Sequence, residues 1–362
     1  MIINTILWDP EDIKRSKKMK IGFVLPMPTT KIVGGYKVVY EYANYLAQKG
    51  HDVTIFYNSD KGRNSRSLPP FLVYSLRQLI CLKEPSWFRL LPEVKKVNLY
   101  SLDKKYFKDY DVAVATAAET AIFVNELSVK KKVYLIQDFE KDWHLSEEQL
   151  FKTYNYPDMT LVVVSKWLLN KISEHTDKEI YYIPNGIDDT VFKDYKQPRK
   201  KHSVAMLYHL DERKGAKVGL GVIFKLKQKY PDLEVNLFGI PKRDTSWPSW
   251  IRYTRFAKPV QVAQIMNDSS VFLCTSRFEG FGLTGLESLF CGCEFVTTDC
   301  GGIREYASEK NAVICKIDDV DGLVQGISEI FETSNTTGGK TEVVNDFKLS
   351  ESQAKFLDIC CK

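Results

Sequence analysis

The chain has 362 residues, of which 44% are hydrophobic and 27% charged, and its formal net charge is +5. That length exceeds one ordinary core, so two domains are expected, and the composition is that of a soluble globular protein. No apolar run approaches the roughly 20 residues needed to cross a bilayer, and the N-terminus lacks the apolar core of a signal peptide, so a cytoplasmic location is expected. The charge is unevenly placed. Residues 1–110 hold 19 Lys/Arg against 10 Asp/Glu, a net +9, while the remainder is net −4. No nucleic-acid motif accompanies the basic part, so its expected partner is an anionic membrane surface, peripherally bound, and not nucleic acid. Eight cysteines are present. Cys291, Cys293 and Cys300 lack the paired spacing of a zinc site, and neighbouring Cys360 and Cys361 cannot easily bridge each other, so neither metal nor structural disulfide is expected.

Residues 1–18 read as an N-terminal extension ending in a basic run, Lys14-Arg15 and Lys17-Lys18, of the kind usually solvated. A strand-like run at 21–26 leads through Gly34-Gly35 into a helical pattern closed by Gly50, and Val53–Tyr57 is the next strand. This β-loop-α-β unit opens a doubly wound sheet. Paired glycines at a helix start suit either a tight turn or close approach by a phosphate. They are not the G-x-G-x-x-G of a dinucleotide fold. Residues 68–92 mix Leu, Phe and Trp with scattered Arg and Lys, which fits an amphipathic helix lying on a membrane, with Trp87 and Phe88 in contact, or a helix packed on the sheet. Further strands at 112–116 and 133–138 put Thr116, Gln137 and Asp138 at carboxyl strand ends, where open α/β sheets bind ligands. Asp138 reads either as a group that orients or deprotonates an acceptor hydroxyl or as a cap. His144 reads as a surface residue.

A strand at 161–165 and the turn Pro184-Asn185-Gly186 close the first half, and 194–201 reads as a linker. Ser203–Tyr208 then runs into His209-Leu210-Asp211-Glu212-Arg213-Lys214-Gly215 and a helix. Arg213 and Lys214 there could meet a diphosphate or simply be solvated. After a strand at 235–239, an aromatic stretch covers 241–256. Val271–Thr275 is a strand, followed by Ser276-Arg277-Phe278-Glu279-Gly280-Phe281-Gly282-Leu283 and a helix that reaches Gly292. Gly280 and Gly282 leave room for ligand oxygens at the helix start, and Glu279 and Glu287 are acceptors suited to sugar hydroxyls. The strand 295–299 follows, then a polar link at 333–340 and a last helix near 350–361.

The pair Glu279 and Glu287, seven residues apart, together with Gly34-Gly35 and Pro184-Asn185-Gly186, resembles retaining glycosyltransferase family four. The resemblance runs from about Lys20 to about Phe331. It implies an α/β fold of two facing Rossmann-like domains (GT-B), with the active site in the interdomain cleft. The implied divisions are 1–18, an acceptor domain 19–193, a nucleotide-sugar donor domain 194–335, and a C-terminal helix segment 336–362 that packs back on the first domain. Glu279 and Lys214 are then catalytic, with Asp138. The donor is held by Gly34, Gly35, His209, Arg213, Lys214, Glu279, Gly280, Phe281, Gly282, Leu283 and Glu287, and Phe256 to Lys258 lie near its base. Thr116, Gln137 and Asp138 face the acceptor. Two positions depart from the family: His209 stands where an Arg usually contacts phosphate, and Gln137 where many members carry a His. The implied reaction moves a sugar from a nucleotide-diphospho-sugar to a glycan or lipid-linked hydroxyl with retention, without metal or other cofactor. The strings YLIQDFE and MLYHLDERKG resemble rhamnosyltransferases of bacterial surface-polysaccharide assembly, which implies a deoxythymidine-diphosphate-rhamnose donor. Two alternatives stay open, a nucleotide-sugar epimerase and a non-catalytic glycosyltransferase-like partner subunit.

Overall fold

The computed structural model describes residues 17–58, 70–141, 145–333 and 345–362. Most of the N-terminal extension, residues 68 and 69, His144 and the polar link beyond Thr333 lie outside the described residues. The first domain runs β1 (Lys20–Leu25), α1 (Gly34–Gln48), β2 (Asp52–Asn58), α2 (Pro70–Lys83), β3 (Lys95–Leu99), β4 (Val112–Ala115), α3 (Ala118–Asn125), β5 (Lys131–Ile136), α4 (Glu147–Tyr154), β6 (Met159–Val163), α5 (Lys166–Ser173) and β7 (Ile180–Tyr182). Its sheet has the order β3-β2-β1-β4-β5-β6-β7, with parallel pairings. The second runs β8 (Lys200–Tyr208), α6 (Ala216–Lys229), β9 (Glu234–Gly239), β10 (Ile251–Arg255), α7 (Pro259–Asn267), β11 (Ser269–Cys274), α8 (Leu283–Phe290), β12 (Glu294–Thr298), β13 (Ala312–Cys315) and α9 (Val320–Thr333). Its parallel order is β10-β9-β8-β11-β12-β13. Strand order reverses between β1 and β4 and again between β8 and β11, which makes two switch points.

The central strands are apolar because helices cover both faces of a parallel sheet. Ile21, Phe23, Val24 and Leu25 in β1, and Val271, Phe272 and Leu273 in β11, are all buried. The outermost strands differ. β3 reads Lys-Lys-Val-Asn-Leu and β10 reads Ile-Arg-Tyr-Thr-Arg, each pairing on one side only. The aromatic stretch 241–256 therefore contains an edge strand, and its Trp247 and Tyr253 rings close around Tyr208 at 4.6 and 6.0 Å.

The segment around α2 is a helix followed by a packed loop. Trp87 is only 9% exposed, and the rings of Trp87 and Phe88 lie 5.8 and 5.5 Å from that of Tyr40. Those two aromatics are held inside the first domain, a correction to the expectation that they meet a membrane. Asn44 fixes the loop by donating to the Arg89 carbonyl and accepting from the Leu91 N–H.

The last helix, α10 (Leu349–Cys361), lies on the first domain. Phe356 stacks on Tyr42 at 4.4 Å and on Phe23 at 6.0 Å, and Gln353 donates to the Glu41 carbonyl. Ser352 donates to the Pro184 carbonyl. Removing a fully buried phenyl ring loses its transfer free energy and leaves a cavity, typically about 3–5 kcal/mol. Phe356→Ala should lower stability by that amount in a urea titration, and an unchanged midpoint would show that α10 does not hold the first domain.

Candidate active site

The elements converge on one hollow. The glycine pair, Thr116, Gln137, Asp138, His209, Arg213, Lys214, the whole 279–283 loop and Glu287 line a cleft of roughly 470 Å³ between the two domains. Each residue follows the carboxyl end of β1, β4, β5, β8 or β11 or sits in the helix after it, as a switch-point site requires.

Lys214 ends a single turn, Glu212–Lys214, that Asp211 caps by accepting from the Arg213 N–H. Gly215 follows in the left-handed region at φ 61°, and a Cβ there would collide with the Thr275 carbonyl. Only glycine lets the turn lie this close to β11. The Arg277 N–H donates to the Arg213 carbonyl at 2.7 Å, lacing the turn to the 276–282 loop. Glu279 is pinned through its own backbone: its N–H donates to Cys300 O and its carbonyl accepts from Gly302 N–H, both at 2.8 Å. Its carboxylate receives Lys214 Nζ at 2.7 and 2.8 Å and the Ser276 hydroxyl at 2.7 Å. Burial works against the Lys214 ammonium, but Glu279 outweighs it and its pKa rises.

Glu287 meets a partner the sequence reading missed. Lys37, from α1 of the opposite domain, bonds its carboxylate at 2.7 Å and lies 3.7 Å from Glu41. All three side chains are 12% exposed or less. The signal was present: Lys37 and Glu41 stand one turn apart among Val38, Val39 and Tyr42, on a face otherwise apolar. Burial opposes the charge on Lys37, yet Glu287 and Glu41 raise its pKa. One lysine cannot neutralise two buried carboxylates. Glu41, the more distant, is pushed by burial up to about 7.

Arg213 reaches back to Asp211 at 2.8 Å and across to Asp138 at 3.3 Å. Burial raises the pKa of Asp138 and Arg213 counters it. His209 Nδ1 accepts from the Asp211 N–H at 3.0 Å, which leaves Nε2 as the protonated nitrogen. Burial and then Lys214 lower its pKa, so the ring is neutral near pH 7. Two other predicted residues are taken up by the scaffold. Thr116 donates to the Val24 carbonyl and Gln137 to the Gly35 carbonyl. The absence of a side chain at Gly280 serves packing too, since a Cβ there would strike the Gln137 carbonyl of the other domain. Of the stretch assigned to the base, Ala257 lines the cleft, beside Ile240, Pro259 and Val262. Asn185 also lines it, with an amide oxygen buried and unpaired among the described residues.

Comparison with known proteins matches two models, one to each half. Glycosyltransferase Family 4 covers residues 33–191, and Glycosyl transferases group 1 covers 201–333. Together the two glycosyltransferase models span both domains of the chain. Among solved structures, the Anabaena protein HepE, crystallised with UDP and glucose, superposes with a TM-score of 0.72 at 15% identity, over 94% of this chain and 98% of that one. Its likeness shows the GT-B fold. One subunit of the human phosphatidylinositol N-acetylglucosaminyltransferase is 31% identical over 168 residues, 43% of this chain and 34% of its own. Phosphatidyl-myo-inositol mannosyltransferase of Mycolicibacterium smegmatis is 27% identical over 171 residues, 43% of this chain and 44% of its own. The aligned parts thus span less than half the length of either relative.

The buried group of Lys37, Glu41 and Glu287 yields a pH dependence. The folded pKa of Glu41, about 7, exceeds the ordinary 4.5, so its stabilising contribution is complete below 4.5 and is lost as pH rises through 7. The loss is on the order of 3 kcal/mol. In Glu41→Gln it should be absent. Unfolding midpoints measured from pH 5 to 8 check this, and equal slopes in the two proteins would refute it.

Proposed function

We propose that the protein transfers a hexose from a nucleoside-diphosphate sugar to a hydroxyl of a lipid-linked acceptor. The supporting observation is the pairing of Lys214 with Glu279 at the switch point of the second sheet, with Arg213 and His209 in the same cleft. Each cation is held by a carboxylate, and an arriving donor offers both partners something better. The diphosphate oxygens take Lys214 and Arg213 by charge-assisted hydrogen bonds, and Glu279 is freed to accept from sugar hydroxyls. The α1 N-terminus, where Val33 provides no side-chain cap, adds unsatisfied N–H groups. His209 Nε2–H donates without adding charge, and Arg213 supplies the guanidinium that the His209 position lacks.

Departure of the nucleoside diphosphate builds negative charge on its outer phosphate. Preorganised cations meet that charge without reorganisation, commonly contributing 100-fold or more per donor. The hydroxyls of the sugar, gripped by Glu279, hold its anomeric carbon toward the first domain. Asp138 stands there to orient the attacking hydroxyl. Glu287 takes the ribose diol, and the apolar slot of Ile240, Ala257, Pro259 and Val262 takes the base. Retention of configuration accompanies this reading through the family alone.

The two curated relatives are named for N-acetylglucosamine and mannose, and both names specify phosphatidylinositol. Neither is named for rhamnose, so we read the donor sugar as a hexose and the acceptor as lipid-borne. The intact Lys214–Glu279 pair argues against a non-catalytic role.

Incubation with a panel of nucleoside-diphosphate sugars should release nucleoside diphosphate only when a phosphatidylinositol or other lipid-linked acceptor is present. Epimer formation, or silence with every donor, would overturn the reading. Glu279→Gln and Lys214→Ala should each lower turnover by about 100-fold or more, with far-UV circular dichroism showing a folded protein at the assay temperature.

A further inference from the structure

Helix α2 presents a second apolar face outward. Phe71, Leu72, Leu76, Leu79 and Leu82 are 64, 40, 51, 55 and 67% exposed. At 100° per residue the five fall within a sector of about 140°, which also holds Ser75 and Lys83. The opposite side points inward and carries the half-buried Val73, Tyr74, Arg77 and Ile80 and the buried Cys81. Tyr74 donates to the Asn98 carbonyl, and Lys96 caps the helix end through the Cys81 and Leu82 carbonyls. An isolated exposed apolar residue needs no explanation, but five on one face, uncovered among the described residues, form a docking surface.

We propose that this face lies on the anionic lipid surface that carries the acceptor. The inference rests on the lipid-linked acceptor proposed above. Three observations choose lipid over another occupant. The helix has 14 residues, too few to cross a bilayer but enough to lie along its interface. Lys83 lies within the apolar sector, and the exposed Lys95 opens the neighbouring strand β3, in a part of the chain that is net +9. The exposed Tyr100, its ring edge-on to Tyr74 at 5.5 Å, supplies an amphipathic aromatic suited to the headgroup layer. Position relative to the site then follows. Trp87, four residues beyond the end of α2, lines the catalytic cleft. A helix anchored in the headgroups thus sets the first-domain wall of the cleft at the height of a lipid-borne hydroxyl, while the second domain stays free to take its donor from solution.

The test is flotation of the full chain with vesicles of phosphatidylcholine and phosphatidylglycerol, wild type against the triple variant Leu76→Ser, Leu79→Ser, Leu82→Ser. Wild type should float with the vesicles, and the variant should partition at least about tenfold less, because each lost side chain removes apolar area from the interface. Nucleoside-diphosphate release with a water-soluble acceptor analogue should be the same in both. The proposal is overturned if wild type stays in the soluble fraction, if the variant floats equally well, or if wild type is a dimer that fails to float and the variant a monomer. The last result would give the face to a second copy. Loss of release with every donor would instead remove the transferase reading and leave flotation as an independent measurement.

Discussion

Two buried glutamates on one short stretch, each neutralised by a lysine from a different wall, are the constraint around which the cleft is built. Glu279 sits in the loop after β11 and takes Lys214 from its own domain, while Glu287 sits in α8 and takes Lys37 from the other. A buried carboxylate without a partner is costly, and removing one member of such a pair typically costs about 3–5 kcal/mol. Seven intervening residues let one acid stand at the loop mouth and the other inside the helix, so a single peptide addresses both ends of an extended ligand. The supports follow from this. Gly215 brings the Lys214 turn onto β11, Cys300 and Gly302 fix the Glu279 backbone, and α10 braces the helix that carries Lys37.

How much of this the sequence discloses depends on where polar residues fall. The central strands are legible because burial on both faces demands unbroken apolar runs. β3 and β10 escape a reading based on such runs because each is an outer strand. The glutamate spacing and both glycine-bearing loops mark the cleft, and the structure brings every residue drawn from them to one hollow. Lys37 and Asn185 stay hidden for opposite reasons. Lys37 resembles an ordinary helix-surface lysine until the opposite domain is placed over it, and Asn185 resembles an ordinary turn residue until its amide oxygen is found buried and, among the described residues, unpaired.

Two residues show how a right position can carry a different duty. Gln137 faces the cleft, yet its amide holds the Gly35 carbonyl and thereby shapes the first glycine loop. Gly280 stands in the donor loop, yet what it accommodates is the backbone of Gln137 and Asp138. The two domains meet there, backbone to backbone, beside Glu279. Ser165 strengthens that seam by donating to the Gly280 carbonyl at 2.7 Å, and Glu305 accepts from the Lys166 N–H and from the Tyr182 hydroxyl. The seam ties the loop of Glu279 to the first domain independently of the lysine bridge.

The consequence is a coupling between donor binding and the relation of the two domains. Lys37 bonds Glu287 across the domains at 2.7 Å, with Glu41 at 3.7 Å and the ring of Phe192 at 5.0 Å. On the donor pose proposed above, a ribose diol donating to Glu287 would compete for the oxygen that Lys37 holds, and these two groups are the neighbours left to the lysine. Glu41, held by burial at a pKa of about 7, would give up its proton as that lysine moved closer, because the ammonium favours the carboxylate form. The proton balance of the triad therefore changes as the cleft fills, and the charge lost from the bridge is taken up locally by a side chain already placed to receive it. The Gly280 seam does not involve Lys37 or Glu287, so the loop of Glu279 is held against the first domain by contacts separate from that bridge.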